Sequence, residues 1–154
     1  MVFLLAMFGG VMQHWSIFND CYTGWIVMTT TLRIISALFG LLFTVSFLNW
    51  LLAPAGAAAT LGMPLLDGVA RNTQVGDFTA FFFTLAVLIG LGVWRRQPQP
   101  LLGACLLLGS AAIFRVWSAL MHEATLAPVS VAVEVAGTAV LLAYASCLRQ
   151  SRPE

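Results

Sequence analysis

The sequence predicts an all-α integral membrane protein, an antiparallel four-helix bundle preceded by a short extra N-terminal apolar segment. Three observations predict this fold. First, 60% of the 154 residues are hydrophobic and 8% are charged, whereas soluble domains carry about 25% charged residues. Second, four apolar runs reach the length of about 17–25 residues that a helix needs to cross a bilayer. Third, the basic residues that flank these runs fall on one side of the predicted membrane.

The four apolar runs define the predicted helical domain, residues 29–148, and each is bounded by turn-forming residues. Pro54 ends the first run because proline cannot continue a helix, and Pro128 fits the start of the last, where proline is tolerated. Strands are excluded because lipid cannot satisfy an unpaired backbone amide. The predicted spans are residues 32–52, 78–94, 101–120 and 127–148.

Charge asymmetry predicts the orientation of the bundle. Arg33 lies at the very start of the first span, Arg95 and Arg96 join the second to the third, and Arg149 follows the fourth. The other two connections have no positive excess. Because basic loops stay in the cytoplasm, we expect both ends of the core inside and residues 149–154 as a cytoplasmic tail. Trp50 and Trp117 fall near the outer ends of their spans, at the level that aromatic rings prefer.

The connections differ in length. Residues 95–100 form a tight inner turn with Pro98 and Pro100 as helix breakers, and residues 122–126 form a tight outer turn. Residues 53–76 make a long, weakly charged outer loop. Such a loop is either a connector lying on the membrane surface or a lid over a binding site.

Residues 1–28 leave three interpretations open. Met1 to Met12 is apolar but too short to span, and it lacks the basic start and cleavage site of a secretory signal peptide. The segment is an interfacial or re-entrant helix, an upstream extension of a chain that begins at Met28, or a fifth span over about Met1 to Phe18. The fifth span would place the N-terminus outside.

Two ionisable residues lie inside predicted spans, Arg115 and Glu134. Charged side chains there are costly and usually face the bundle interior. Arg115 precedes the outer turn by about as many residues as Glu134 follows it, so an antiparallel hairpin brings them to similar depth. Glu134 should lie about 10 Å below the outer interface at a rise of about 1.5 Å per residue. An ion pair is the least costly way to bury both.

Neighbouring polar residues extend this cluster. Ser118 and His122 share the face of Arg115 at helical spacing, and Asp77, near Arg71, should open the second span, where a carboxylate favours the helix dipole. The cluster is a set of structural contacts that fix helix register, a site for a polar or anionic headgroup, or a catalytic site.

Composition argues against several other functions. Net charge is +1 and there is no basic stripe, so we expect no nucleic-acid partner. The two histidines and three cysteines share no metal-ligand spacing, and we expect no metal and no cofactor.

Several short motifs and single residues in the four-span region form a recognisable pattern: Leu48-Asn49-Trp50, Pro54, Gly62-Met63-Pro64, Arg71, Asp77, Arg115, His122 and Glu134. Over about residues 32–148 this pattern resembles a bacterial family of small four-span membrane proteins, the domain of unknown function 4345. The resemblance implies a four-helix bundle in a bacterial cytoplasmic membrane and carries no established activity.

Three functions remain open at this point. The chain is a membrane protein that binds a lipid or small amphiphile at its outer end, or an accessory subunit of a homo-oligomer or larger membrane complex. It is a small membrane enzyme that acts on a lipid or isoprenoid with Asp77 or Glu134 as the acid, since carboxyls in apolar settings can serve as acids. Or it is a transporter or channel subunit, which the absence of internal repeats disfavours.

Overall fold

The chain folds into helices alone. The computed structural model describes the backbone of residues 2–150 and the side chains of residues 24–150. Within this part the chain has five helices and no strand, and 87% of it is helical. The predicted all-α fold is therefore confirmed. The helices are α1 (Val2–Leu52), α2 (Pro54–Thr60), α3 (Gly68–Arg95), α4 (Pro98–Met121) and α5 (Pro128–Gln150).

Four helical segments of the described part are long and apolar enough to cross a membrane. They are Gly24–Leu52 of α1 and the whole of α3, α4 and α5. Their mean hydropathy lies between 1.7 and 2.0, and large apolar side chains cover their outward faces. Lipid is the solvent that such a surface requires.

The chain divides into two compact units, Met1–Thr31 and Leu32–Glu154. In the first unit the backbone is helical from Val2 onward, and the Thr29 hydroxyl donates to the Trp25 carbonyl at 2.9 Å. Residues 1–23 lie outside the part whose side chains are described, so the three interpretations of residues 1–28 stay predictions. The bundle is built by the second unit.

Helices of the bundle meet their sequence neighbours antiparallel, through small residues and aromatic rings. Gly40 of α1 faces Ile89 of α3, where an added Cβ would lie 3.1 Å from the isoleucine Cγ2. Gly137 of α5 faces Leu108 of α4 in the same way, at 3.2 Å. Small residues allow this close approach of helices in lipid. The core between the helices includes the buried Leu85, Ile89, Leu101, Leu108 and Leu141.

The predicted long outer loop is wrong in its extent. Residues 54–60 form α2, and α3 begins at Gly68 rather than near residue 78. The missing helix start was invisible to a hydropathy pattern because residues 68–76 are mostly polar or small. Pro54 does end α1, and it also provides the first residue of α2.

Trp50 is buried within the protein. Its ring is 1% exposed and stacks on Phe78 of α3 with centroids 4.6 Å apart and planes 9° apart. Ala57 and Ala58 of α2 belong to the same cluster. The short helix therefore covers the C-terminal end of α1. Trp117, in contrast, is exposed, and its position at the headgroup level stays a prediction.

The turn between α3 and α4 is shorter than predicted. Arg96 alone, in the left-handed conformation with φ 50°, ends α3, and Gln97 precedes α4. Pro98 and Pro100 are not breakers in a loop but residues of the first turn of α4. Proline is tolerated there because the first amides of a helix have no intrahelical acceptor.

Candidate functional site

Arg115 of α4 and Glu134 of α5 form an ion pair. The arginine Nε donates to Glu134 Oε1 at 2.8 Å. The short turn between α4 and α5 sets this register, because both residues lie a similar distance from it. Their side chains are 33% and 8% exposed. The glutamate is thus enclosed by protein, and the arginine reaches the surface.

The pair uses only part of its hydrogen-bonding capacity. Glu134 Oε2 is buried and has no hydrogen-bond partner within the described part of the chain. Nε is the only guanidinium nitrogen of Arg115 with a hydrogen bond to another described residue. A fork-to-fork pair would use two parallel bonds. The observed geometry therefore leaves both Nη groups available to a further partner.

A groove between α3 and α4 lies beside the exposed end of this arginine. It has a volume of about 510 Å³ and is largely open on one side. Asp77 lines one wall, and Arg115 and Ser118 line the other. Aromatic rings and an alanine supply the remaining surface: Phe78, Phe81, Ala111 and Phe114. The groove is therefore apolar along its walls and carries three polar side chains.

The polar side chains of the groove lie at one level. Asp77 precedes Arg95 by about 27 Å along α3, and Arg115 follows Pro98 by about 26 Å along α4, at 1.5 Å per residue. Arg95 and Pro98 flank the same tight turn. A hydrocarbon core is about 30 Å thick. The polar side chains thus lie close to the other edge of such a core.

Asp77 does not begin α3, contrary to prediction. Gly68 is the first residue of that helix, and Asp67 occupies the N-cap position without a side-chain capping bond. Asp77 lies well inside the helix, with an exposed side chain and no ion pair to another described residue. Its carboxylate is therefore free to meet a ligand in the groove rather than committed to a helix end.

Arg71 lies outside the groove. Its Nη2 binds Asp67 Oδ1 at 2.7 Å and its Nε donates to the Leu66 carbonyl at 2.8 Å. It thus ties the segment before α3 to the first turns of that helix. His122 lies outside the groove as well: it is exposed, and its backbone N–H closes α4 onto the Ser118 carbonyl at 3.0 Å.

Gln74 is a buried residue whose role sequence reasoning missed. Its Oε1 accepts from the Leu66 N–H at 3.0 Å, and its Nε2 donates to the Pro64 carbonyl at 3.1 Å. The same amide contacts the Met63 sulfur at 3.1 Å. Gln74 therefore fixes the segment between α2 and α3. Gln74 precedes Phe78 by four residues, which places both on the same helix face. This spacing was the feature of the sequence that could have indicated that Gln74 is buried.

Metal chemistry finds no support in the described residues. Between residues 24 and 150, no three histidine, cysteine, aspartate or glutamate side chains come together in a way that could hold a metal ion.

The fold and the groove together define a class: a small helical integral membrane protein with a polar cluster at one end of an apolar bundle. Comparisons with protein-family models, with curated proteins and with solved structures found no match for this chain. The resemblance to the domain of unknown function 4345 therefore stays a prediction.

Proposed function

We propose that this protein binds a zwitterionic amphiphile, such as an aminophospholipid, in the groove between α3 and α4. The observation that carries the proposal is the half-used ion pair. Glu134 holds the Arg115 guanidinium in place through Nε, and Arg115 also lines the groove. A phosphate fits its Nη groups, because guanidinium donors match phosphate oxygens in geometry.

Charge balance selects the kind of headgroup. Glu134 neutralises Arg115, so the groove keeps the negative charge of Asp77. A headgroup that carries only a phosphate would meet Arg115, whose charge Glu134 already compensates, and would be repelled by Asp77. A headgroup that also carries an ammonium group would place it near Asp77. The aromatic walls of Phe78, Phe81 and Phe114 suit an acyl chain.

The orientation and membrane are part of the same proposal. Arg33, Arg95, Arg96 and Arg149 lie at the end opposite the groove, and basic ends stay in the cytoplasm. The bundle then opens its groove to the outer leaflet of a bacterial cytoplasmic membrane, as the family resemblance implies. In a variant without the three native cysteines, Ala124→Cys should react with an impermeant thiol reagent in intact cells and Gln99→Cys should not. The reverse labelling would overturn the orientation.

Lipid retention tests the binding site. The protein would be reconstituted in nanodiscs that contain equal amounts of phosphatidylethanolamine and phosphatidylglycerol, then released for native mass spectrometry. We expect retained phosphatidylethanolamine, and severalfold less of it in Asp77→Asn and in Phe114→Ala. Asp67→Asn is the control for the carboxylate, because Asp67 is exposed at the same end but lies outside the groove.

Ile113→Ala is the control for the ring. Ile113 and Phe114 are adjacent and equally exposed, at 66% and 67%, but Ile113 lines a different surface, between α4 and α5. Equal retention of phosphatidylethanolamine by both groove variants and both controls would refute the proposal. A preference for phosphatidylglycerol that depends on Asp77 and Phe114 would refute the choice of headgroup.

A further inference from the structure

Among the residues whose side chains are described, those at the end of the bundle opposite the groove carry only positive charge. Arg33, Arg95, Arg96 and Arg149 all lie there. Every acidic residue between positions 24 and 150 lies at or near the other end: Asp67, Asp77, Glu123 and Glu134. Within this described range, none of the four arginines makes an ion pair, since the two pairs present are those of Arg71 and Arg115.

The fold brings these arginines to the same end of the bundle. Arg33 begins the bundle part of α1, and Arg96 forms the turn between α3 and α4. Unpaired guanidiniums gathered at one membrane face attract anionic lipids.

A second groove begins at this basic end, between α1 and α3. It has a volume of about 430 Å³. Arg33 and Trp94 lie at its mouth, and small residues, including Gly40, Ala86 and Gly90, form its floor. Trp94 is exposed, in the position that tryptophan prefers at the headgroup level. The groove thus has a cationic, aromatic mouth and a narrow apolar channel that follows the helices.

We infer that this second groove is a site for an anionic phospholipid. Arg33 binds the phosphate at the mouth, and one acyl chain lies over Gly40, Ala86 and Gly90. The positive charge at this end of the bundle selects an anionic lipid. No carboxylate lies nearby among the described residues, so an ammonium group on the headgroup would have no partner. The site is separate from the α3–α4 groove, which has a carboxylate and lies at the other end of the bundle.

Gly90 offers a way to block the channel without changing charge. A Cβ added at Gly90 would meet nothing within 4 Å, and the glycine is exposed and lines the groove. The side chain of Gly90→Leu would therefore occupy the channel instead of disturbing the packing. Gly76→Leu is the matched control, because Gly76 also lies in α3, is exposed, has open space around an added Cβ and lies outside this groove.

The test measures phosphatidylglycerol retained by the reconstituted full chain, by native mass spectrometry over a range of phosphatidylglycerol content in phosphatidylcholine nanodiscs. Arg33→Gln should weaken retention roughly fivefold, the effect of about 1 kcal/mol per arginine at the surface. Gly90→Leu should weaken it by a similar factor. Gly76→Leu and Arg71→Gln should match the wild type.

Two results would overturn the inference. Wild-type retention in Gly90→Leu would show that the arginines attract lipid without a seated chain. In Phe114→Ala, where the α3–α4 groove for zwitterionic lipid is impaired, equal retention of phosphatidylcholine and phosphatidylglycerol would show that charge does not select the lipid at the second groove. Asp77→Asn and Phe114→Ala should leave phosphatidylglycerol retention unchanged, so this site and the α3–α4 groove succeed or fail independently.

Discussion

Removing Arg115 should destabilise the bundle far more than removing its partner. In Arg115→Met, Glu134 loses its only described side-chain partner, although its side chain is only 8% exposed. Breaking a buried pair in this way lowers the free energy of unfolding by about 3–5 kcal/mol. In Glu134→Leu, the remaining arginine is 33% exposed, and its long side chain can reach toward the headgroups. We therefore expect a cost of about 1–2 kcal/mol for that variant, below the range for a fully buried charge.

The double variant Arg115→Met/Glu134→Leu supplies the interaction energy. Replacing both charges with apolar groups of similar volume is often neutral or stabilising, so the double variant should be more stable than Arg115→Met alone. The measurement is the free energy of unfolding in bicelles, followed by steric trapping. Arg71→Gln and Asp67→Asn form a matched cycle for an exposed pair, with side chains 51% and 91% exposed, where we expect about 0–1 kcal/mol.

Two results would refute this reasoning. A cost below about 1 kcal/mol for Arg115→Met would place the ion pair in the range of an exposed one. A double variant that is no more stable than Arg115→Met would show that the cost does not come from an uncompensated Glu134. Equal coupling in the Arg71 cycle would show that burial does not set the strength of the contact.

Three further predictions concern packing and use the same unfolding measurement. Gly92→Ala should lower the free energy of unfolding by about 1–3 kcal/mol, because the added Cβ would lie 2.5 Å from a fully buried leucine of α4. Gly90→Ala is the control and should leave stability unchanged. Equal effects of the two substitutions would contradict this reasoning. Trp50→Ala should cost about 3–5 kcal/mol and Trp117→Ala about 0.5 kcal/mol or less, and similar costs would show that α2 does not enclose the first ring. Gln74→Leu should cost about 1–3 kcal/mol by leaving backbone groups unpaired, with faster proteolysis between α2 and α3; unchanged proteolysis would refute its role there.

The sequence predicted the helices where lipid contact dictates composition. The ends of α4 and α5 fall within a few residues of the predicted spans because prolines mark their starts and the apolar runs end where the helices do. The contact between Arg115 and Glu134 was predictable for a related reason. A tight antiparallel turn leaves little freedom in register, so equal separation from it implies equal height.

The start of α3 could not be predicted in this way. Hydropathy reports which residues contact lipid, and a helix that extends past the hydrocarbon core loses that signal while its backbone hydrogen bonds continue. Gly68 to Gly76 form such an extension. Because the start of α3 was predicted too late, the role of Asp77 was also predicted wrongly. Asp77 lies inside the helix and lines a groove instead of capping the helix end. Arg71 likewise binds Asp67, four residues before it, and does not line the groove with Asp77.

The ion pair and the proposed binding site explain each other. An arginine at the centre of the bilayer costs about 2.5–3.5 kcal/mol on insertion scales. Arg115 lies nearer one edge of the core, where the cost is lower, and it still gains from a compensating partner whether or not it binds a ligand. A pair that served only to fix helix register would gain from a second parallel bond between the same two groups. Here Glu134 Oε2 remains without a partner in the described part of the chain, and Arg115 lines the groove. That geometry gives up part of the pair's own stability, and it leaves the two Nη groups of an arginine beside the groove without a hydrogen bond to another described residue.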